Sequence, residues 1–348
     1  MRSMGRKLAT IASALAGAAL GVSGLLAASA NPEGLEPVTL TTSGRVVALA
    51  ADGARAALIV SMGRDRLDVV VWEPARRRLI PIYTFGGGEP GGALALAGTR
   101  VAWDEAYVGN EIETYVVSAT LARRAPVELG GGLDSEEEVG DVVLGPVGDG
   151  RLLAFTEEIR SQTGNISAAT VWRAARGGRC PGNGIDPLPA GHCARVARAS
   201  GKLAVLAVDA GRIAARTDRG VRLLTGGGGR LRDFPVKKAG AAALSGKRLA
   251  LRVPNAVEVY DTRTGELMKR FAVARSVRLE DLEHGILVTA SGRTFTLRSL
   301  RDGRTITLRK RRFAHGQLEP AGLFVAAGRR VTFTPMSDVL RRLRGSVS

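Results

Sequence analysis

The sequence predicts an all-β protein: a β-propeller, of seven four-stranded blades closed by the N-terminal strand, with six or eight blades and a pair of β-sandwiches as the alternatives. Three observations predict it. A short apolar stretch, a glycine-containing turn and a second apolar stretch recur seven times. Each recurrence opens a unit of about 40–45 residues, which suits four short strands. No segment between residues 31 and 335 carries the spacing of a long amphipathic helix.

The first copy is VVALAADGARAALIV, with its turn at Asp52-Gly53. Gly98, Asp149-Gly150, Gly211, Ser245-Gly246, Gly285 and Gly322 mark the next six, at spacings of 45, 52, 61, 35, 39 and 37 residues. Tight hairpins need a left-handed backbone position that glycine adopts without steric cost, and the reading places it second in each turn. The flanking stretches are short and rich in Val, Ile, Leu and Ala, hence strands. Their near-continuous apolar character predicts burial on both faces.

Further strands follow each copy. DVVVWEP (68–74) and RLIPIY (78–83) follow the first, and EIETYVVSAT (111–120) follows the second. AVEVYDTRTGELMKRFAV (256–273) follows the fifth, its turn opened by Asp261 and completed by Gly265. RTFTLRSLRDGRTITL (293–308) repeats this after the sixth with Asp302-Gly303. The stretches SGKRLALRV (245–253) with VEVYDTRTGELMKRF (257–271), and DGARAALIVS (52–61) with DVVVWEP, resemble the WD40-like, TolB-type and YVTN-type propeller repeats of exported bacterial proteins. The resemblance covers residues 37 to about 335 and implies a seven-bladed ring. The Trp-Asp pair occurs once, at Trp103-Asp104, in mid-blade. The seventh copy lacks a fourth strand, and PVTLTT (37–42) could supply it and remove an exposed sheet edge. Residues 338–346 are expected to form a short helix or basic tail, beginning near 337.

Residues 1–30 read as a signal peptide. Arg2, Arg6 and Lys7 precede an uncharged, mostly apolar run over 8–27, and Ala28-Ser29-Ala30 offers a cleavage site after Ala30. An uncleaved anchor is the alternative, because the run could span a bilayer. The expected address is therefore secreted, periplasmic or envelope-associated, with residues 31–346 as one propeller. No later uncharged apolar run reaches 18 residues. Cys180 and Cys193, the two cysteines, are expected to form a disulfide in such a setting. Closing that loop is worth about 3 kcal/mol in the chain-entropy treatment.

The chain has 50 Lys and Arg against 33 Asp and Glu. Residues 31–193 hold 15 basic and 21 acidic side chains, whereas residues 194–348 hold 32 and 12. In a propeller, sequence order is angular order, so this predicts an acidic sector and a basic one. The basic half points to an acidic partner, an envelope polymer or a protein, with Arg309, Lys310, Arg311 and Arg312 as the densest run. Aromatics make up 4% of the chain, too few to furnish stacking platforms, which argues against nucleic acid.

No catalytic constellation, metal site or cofactor motif is recognised. Two cysteines and three histidines exclude a four-thiolate zinc site and disfavour multi-histidine ones. Asp134, Glu136, Glu137, Glu138 and Asp141 read as a solvated acidic loop rather than a calcium site. Glu157 and Glu158 are adjacent on a strand and point to opposite faces. His192, His284 and His315 lie at no metal-ligand spacing. Gly86 to Gly88 and Gly226 to Gly229 read as linkers between blades. The expectation is a monomeric binding or protein-interaction module. The alternative is a propeller hydrolase or lactonase, which would need carboxylates such as Asp104, Glu105, Glu157 and Asp209 to converge on one channel mouth.

Overall fold

The structure is a computed structural model and describes residues 37–63, 66–85, 89–108, 112–134, 140–161, 163–174, 193–310 and 314–345. The signal segment, Cys180, His192, Arg311, Arg312, Glu136 to Glu138 and Gly86 to Gly88 lie outside them.

The chain enters through β1 (Val38–Thr41). Blade 1 is β2 (Arg45–Asp52), β3 (Arg55–Ser61), β4 (Leu67–Glu73) and β5 (Arg78–Thr84). Blade 2 is β6 (Glu89–Ala97), β7 (Arg100–Val108), β8 (Ile112–Thr120) and β9 (Val127–Asp134). Blade 3 is β10 (Gly140–Asp149), β11 (Leu152–Arg160), β12 (Ile166–Ala174) and β13 (Cys193–Ala199). Blade 4 is β14 (Leu203–Asp209), β15 (Arg212–Thr217), β16 (Gly220–Thr225) and β17 (Arg230–Phe234). Blade 5 is β18 (Ala241–Ser245), β19 (Arg248–Val253), β20 (Ala256–Asp261) and β21 (Leu267–Ala272). Blade 6 is β22 (Arg278–Glu283), β23 (Ile286–Ser291), β24 (Thr294–Ser299) and β25 (Thr305–Arg309). Blade 7 takes β26 (Ala314–Glu319), β27 (Gly322–Ala327) and β28 (Arg330–Pro335), and the chain ends in helix α1 (Met336–Gly345).

The seven sheets are antiparallel and form a ring, a β-propeller, with the first strand of each blade innermost. The N-terminal strand closes it. β1 pairs with β28 from Val38↔Phe333 to Thr41↔Arg330, so blade 7 has the order β1-β28-β27-β26. The closure expected from PVTLTT is what the chain forms.

Seven apolar clusters hold the ring, one at each junction between neighbouring blades. Strand β3 shows why its sequence is apolar throughout. Ala57 and Ile59 pack toward blade 2, while Ala56, Leu58 and Val60 pack toward blade 7. Alternate residues of one strand thus serve two interfaces. Trp72 meets Phe324 edge-on across the closing junction, with ring centres 6.1 Å apart. Blade 6 packs so tightly on β26 that a Cβ at Gly316 would lie 2.4 Å from the Phe295 ring, so only glycine fits there.

The seven repeated turns all join a first strand to a second, and they share one face of the ring. The glycine position differs from the expected one. Ala210-Gly211 and His284-Gly285 place it second, both residues being left-handed (φ 45° and 79°, 49° and 73°). Gly53, Gly98, Gly150 and Gly246 instead come first in their turns, with φ of 52° to 62°. In blade 7 the turn is Pro320-Ala321, and Gly322 already belongs to β27. The residue before each of these turns is the last of the inner strand, a placement with consequences for the site. Gly226 to Gly229 are not a linker between blades; they join β16 to β17 inside blade 4, where Thr225 Oγ1 accepts the Gly229 N–H at 2.9 Å.

Removing β1 exposes the β28 edge. A chain starting at residue 43 is expected to melt at lower temperature and to aggregate, whereas one starting at residue 37 keeps full stability; calorimetry and light scattering on both report it.

Candidate functional site

The inner strands end in a ring of carboxylates around the mouth on the hairpin face. The last inner-strand residue is Asp52, Asp149, Asp209, Glu283 and Glu319 in blades 1, 3, 4, 6 and 7. Four of these side chains reach the next blade's turn. The Gly98 N–H donates to Asp52 Oδ2, tying blade 1 to blade 2. Ala210 N–H donates to Asp149 Oδ2 (2.9 Å), Gly246 N–H to Asp209 Oδ2 (3.1 Å), and Gly53 N–H to Glu319 Oε2 (3.0 Å). The last of these joins blade 7 to blade 1. Between blades 6 and 7, Asp281 Oδ2 accepts the Leu318 N–H at 2.8 Å. Gln317 adds to the closure: its Oε1 accepts the Ala51 N–H and its Nε2 donates to the Ala51 carbonyl.

Blades 2 and 5 end their inner strands with Ala97 and Ser245, neither of which carries a carboxylate. Arginines take over. Arg100 donates to the Ala174 and Arg151 carbonyls of blade 3, each at 3.2 Å. Arg252 donates to the Val277, Ala274 and Arg275 carbonyls in the link from blade 5 to blade 6, at 2.6, 2.9 and 3.1 Å. Burial lowers the pKa of its guanidinium. Each of the seven junctions therefore carries at least one polar tie beside its apolar cluster.

The mouth is electrostatically crowded. Burial pushes Asp149 up to about 6, and neighbouring Asp52, Asp209 and Glu283 push the same way. Burial also pushes Asp281 up to about 7, against the pull of its backbone donors. Glu319 is 7% exposed, and burial raises it well above the ordinary range, helped by Asp281, Asp52 and Asp149. Asp209 is compensated by Arg212. Among the described residues, no three His, Cys, Asp or Glu side chains gather as a metal-binding group, because the carboxylates are spread around the rim of the mouth.

The four carboxylates that an enzyme reading would bring together are separated. Asp104 and Glu105 stand mid-strand in β7. Asp104 Oδ1 accepts the Ala93 N–H at 2.8 Å, and buried Glu105 accepts from the Trp103 indole (2.7 Å) and the Tyr107 hydroxyl (3.1 Å). Glu157 takes the Trp172 indole N–H at 2.8 Å and Glu158 the Arg160 guanidinium at 2.9 Å, both within blade 3. Only Asp209 lies at the mouth. His284 sits in its turn, as expected, and His315 lies on β26. Arg309 ends β25 on the opposite face and Lys310 follows it; Cys193 opens β13.

Two features were not read from the sequence. The outer strands of blades 4 and 5 expose Leu231, Leu267 and Met268, at 46%, 49% and 47%, among Arg230, Arg232, Lys269 and Arg270. Arg232 of blade 4 donates to the Thr264 carbonyl of blade 5 at 2.8 Å, so the two strands form one rim. The hairpin face also carries two cavities, of about 570 Å³ between blades 3 and 4 and about 450 Å³ beneath α1.

The fold is a WD40-type seven-bladed propeller. A chain of the "Mitotic Checkpoint Complex" crystal structure is similar to it over 95% of this chain and 98% of that one, with TM-score 0.53 and 12% identity. The β-propeller domain of Myceliophteria thermophila Cps50 (Swd1) is similar over 85% and 97%, with TM-score 0.51 and 12% identity. At such identities the likeness establishes the fold alone. No protein-family model matches the chain, and no curated protein matches it.

The raised carboxylates set the sign of the pH response. A group whose pKa rises on folding contributes stability that is present below its unfolded value and lost as pH rises through its folded value. The melting temperature is expected to rise as pH falls from about 8 to about 5. Glu319→Gln keeps an acceptor for Gly53 and removes the charge, so it should flatten that dependence and stabilise the protein at pH 8. Glu319→Ala should cost about 1–3 kcal/mol by leaving a backbone donor unmet.

Proposed function

We propose that this protein is an exported binding module that engages an acidic partner, an envelope polymer or a protein, through the basic rim of blades 4 to 6. The observation carrying the proposal is the rim of β17 and β21. Apolar side chains there stand exposed between cations, a surface suited to a partner with both acidic and apolar character. Charge distribution supports it, since residues 194–348 hold 32 basic against 12 acidic side chains. Arg230 and Arg222 share Asp233, and Arg270 lies 3.6 Å from Glu258, so part of the field is compensated, whereas Lys269 has no acidic partner among the described residues. The similarity of the fold to propellers within assemblies is consistent with a platform role. In the same reading, residues 1–30 direct export, and Cys180 bridges Cys193 in the mature chain.

Poly-glutamate serves as a defined acidic probe. The protein recovered from the cell envelope should begin at Asn31 and show the Cys180–Cys193 bridge in a non-reduced peptide map. It should bind poly-glutamate saturably at about 0.1 M salt, where charges still act over about 10 Å, and release it at about 0.5 M. The double variant Lys269→Glu, Arg270→Glu should weaken binding about tenfold or more. Binding unchanged by both salt and the double variant would overturn the rim as the working surface.

A further inference from the structure

We propose that the cavity beneath α1 binds a small dianion of the phosphomonoester type, carrying an apolar group. Three arginines from three separate elements line this cavity of about 450 Å³: Arg248 opens β19, Arg301 lies in the turn after β24, and Arg344 lies in the last turn of α1. Among the described residues, none of the three side chains has an acidic partner. The one carboxylate in the lining is otherwise engaged. Asp302 accepts the Arg304 N–H at 3.3 Å and lies 3.7 Å from the Arg304 guanidinium. The Ser299 hydroxyl and that N–H hold its pKa below the usual range. The cavity thus sets three arginines against a single carboxylate, which Arg304 already faces, and their fork-shaped donors suit phosphate oxygens.

The placement of the arginines is built in. Arg248 lies over the blade 6 turn, where a Cβ on Gly285 would come within 3.1 Å of its Nη1. His284, in the same turn, also lines the cavity; its φ of 49° belongs to the hairpin geometry it shares with Ala210. Arg304 donates to the Arg344 carbonyl at 2.8 Å, which pins the end of α1 against the turn.

The rest of the lining decides the ligand class. Leu340 of α1 is half-buried in the lining, beside buried Ile286 and Leu343. An anion alone would leave Leu340 uncovered. An ester whose body covers it would add apolar contact to the charge contact. The volume admits a small molecule rather than a folded partner.

Phenyl phosphate and inorganic phosphate are the probes, titrated calorimetrically into the purified protein. Phenyl phosphate should bind saturably, and about tenfold tighter than inorganic phosphate. Arg248→Gln and Arg301→Gln should each weaken both probes about tenfold or more. Arg301 lies on an exposed turn, so its variant stays folded if Arg248→Gln does not. Leu340→Ser should abolish the preference for phenyl phosphate and leave inorganic phosphate unaffected. The rim variant Lys269→Glu, Arg270→Glu should bind both probes normally. No saturable binding, or equal binding by wild type and Arg301→Gln, would overturn the site. Equal affinity for the two probes would overturn the apolar part of the assignment.

Discussion

A backbone N–H on the next blade meets a carboxylate at the end of an inner strand, and on that contact the ring depends. The turn that follows each inner strand presents backbone N–H groups toward the preceding blade. Asp52, Asp149, Asp209 and Glu319 each accept one of these N–H groups from the following blade's turn. The apolar clusters supply the bulk of the attraction between blades, but they are non-directional. The carboxylate contacts set how far each blade is rotated against the next. That matters most at Glu319 and Gly53, where the two ends of the ring meet.

This device has a cost. Charges of one sign gather at one mouth, and at Asp149 and Glu319 the repulsion of neighbouring carboxylates adds to the effect of burial. The chain answers in two ways. Arg212 compensates Asp209, and at two junctions Arg100 and Arg252 replace the carboxylate altogether. The result is an acidic mouth in a protein with a large basic excess. The cations stand away from it, on the outer rim of blades 4 to 6 and in the cavity under α1. The acidic centre and the basic periphery are therefore separate surfaces of one face and its edge.

Much of the architecture was legible because it is local and repeated. The presence of a glycine in or beside the turn of each repeat and the Asp261 turn follow from short-range chemistry, and the closing strand from the fourth strand that the last repeat lacks. What was not legible is what crosses between blades. The aspartate of Asp52-Gly53 reads as a turn former, yet its side chain leaves its own turn for the Gly98 amide. Nothing in the sequence near residue 52 points to residue 98. The cavity arginines show the same limit, since residues 248, 301 and 344 meet only once blades 5 and 6 and α1 are assembled. The run at Arg309 and Lys310 was conspicuous for its density alone, and the structure places it on the face opposite that cavity. Glycine position within the turns depended on strand register, which a one-residue shift changes and periodicity does not fix.

Amide hydrogen exchange at Gly53, compared among wild type, Glu319→Gln and Glu319→Ala at one pH, tests the central claim most directly. Slow exchange in wild type and in Glu319→Gln, with exchange about tenfold or more faster in Glu319→Ala and largely unchanged at Ala210 and Gly246, is the predicted result. Equal protection of Gly53 in all three proteins would contradict the account, because closure would then rest on strand β1 and the apolar clusters alone.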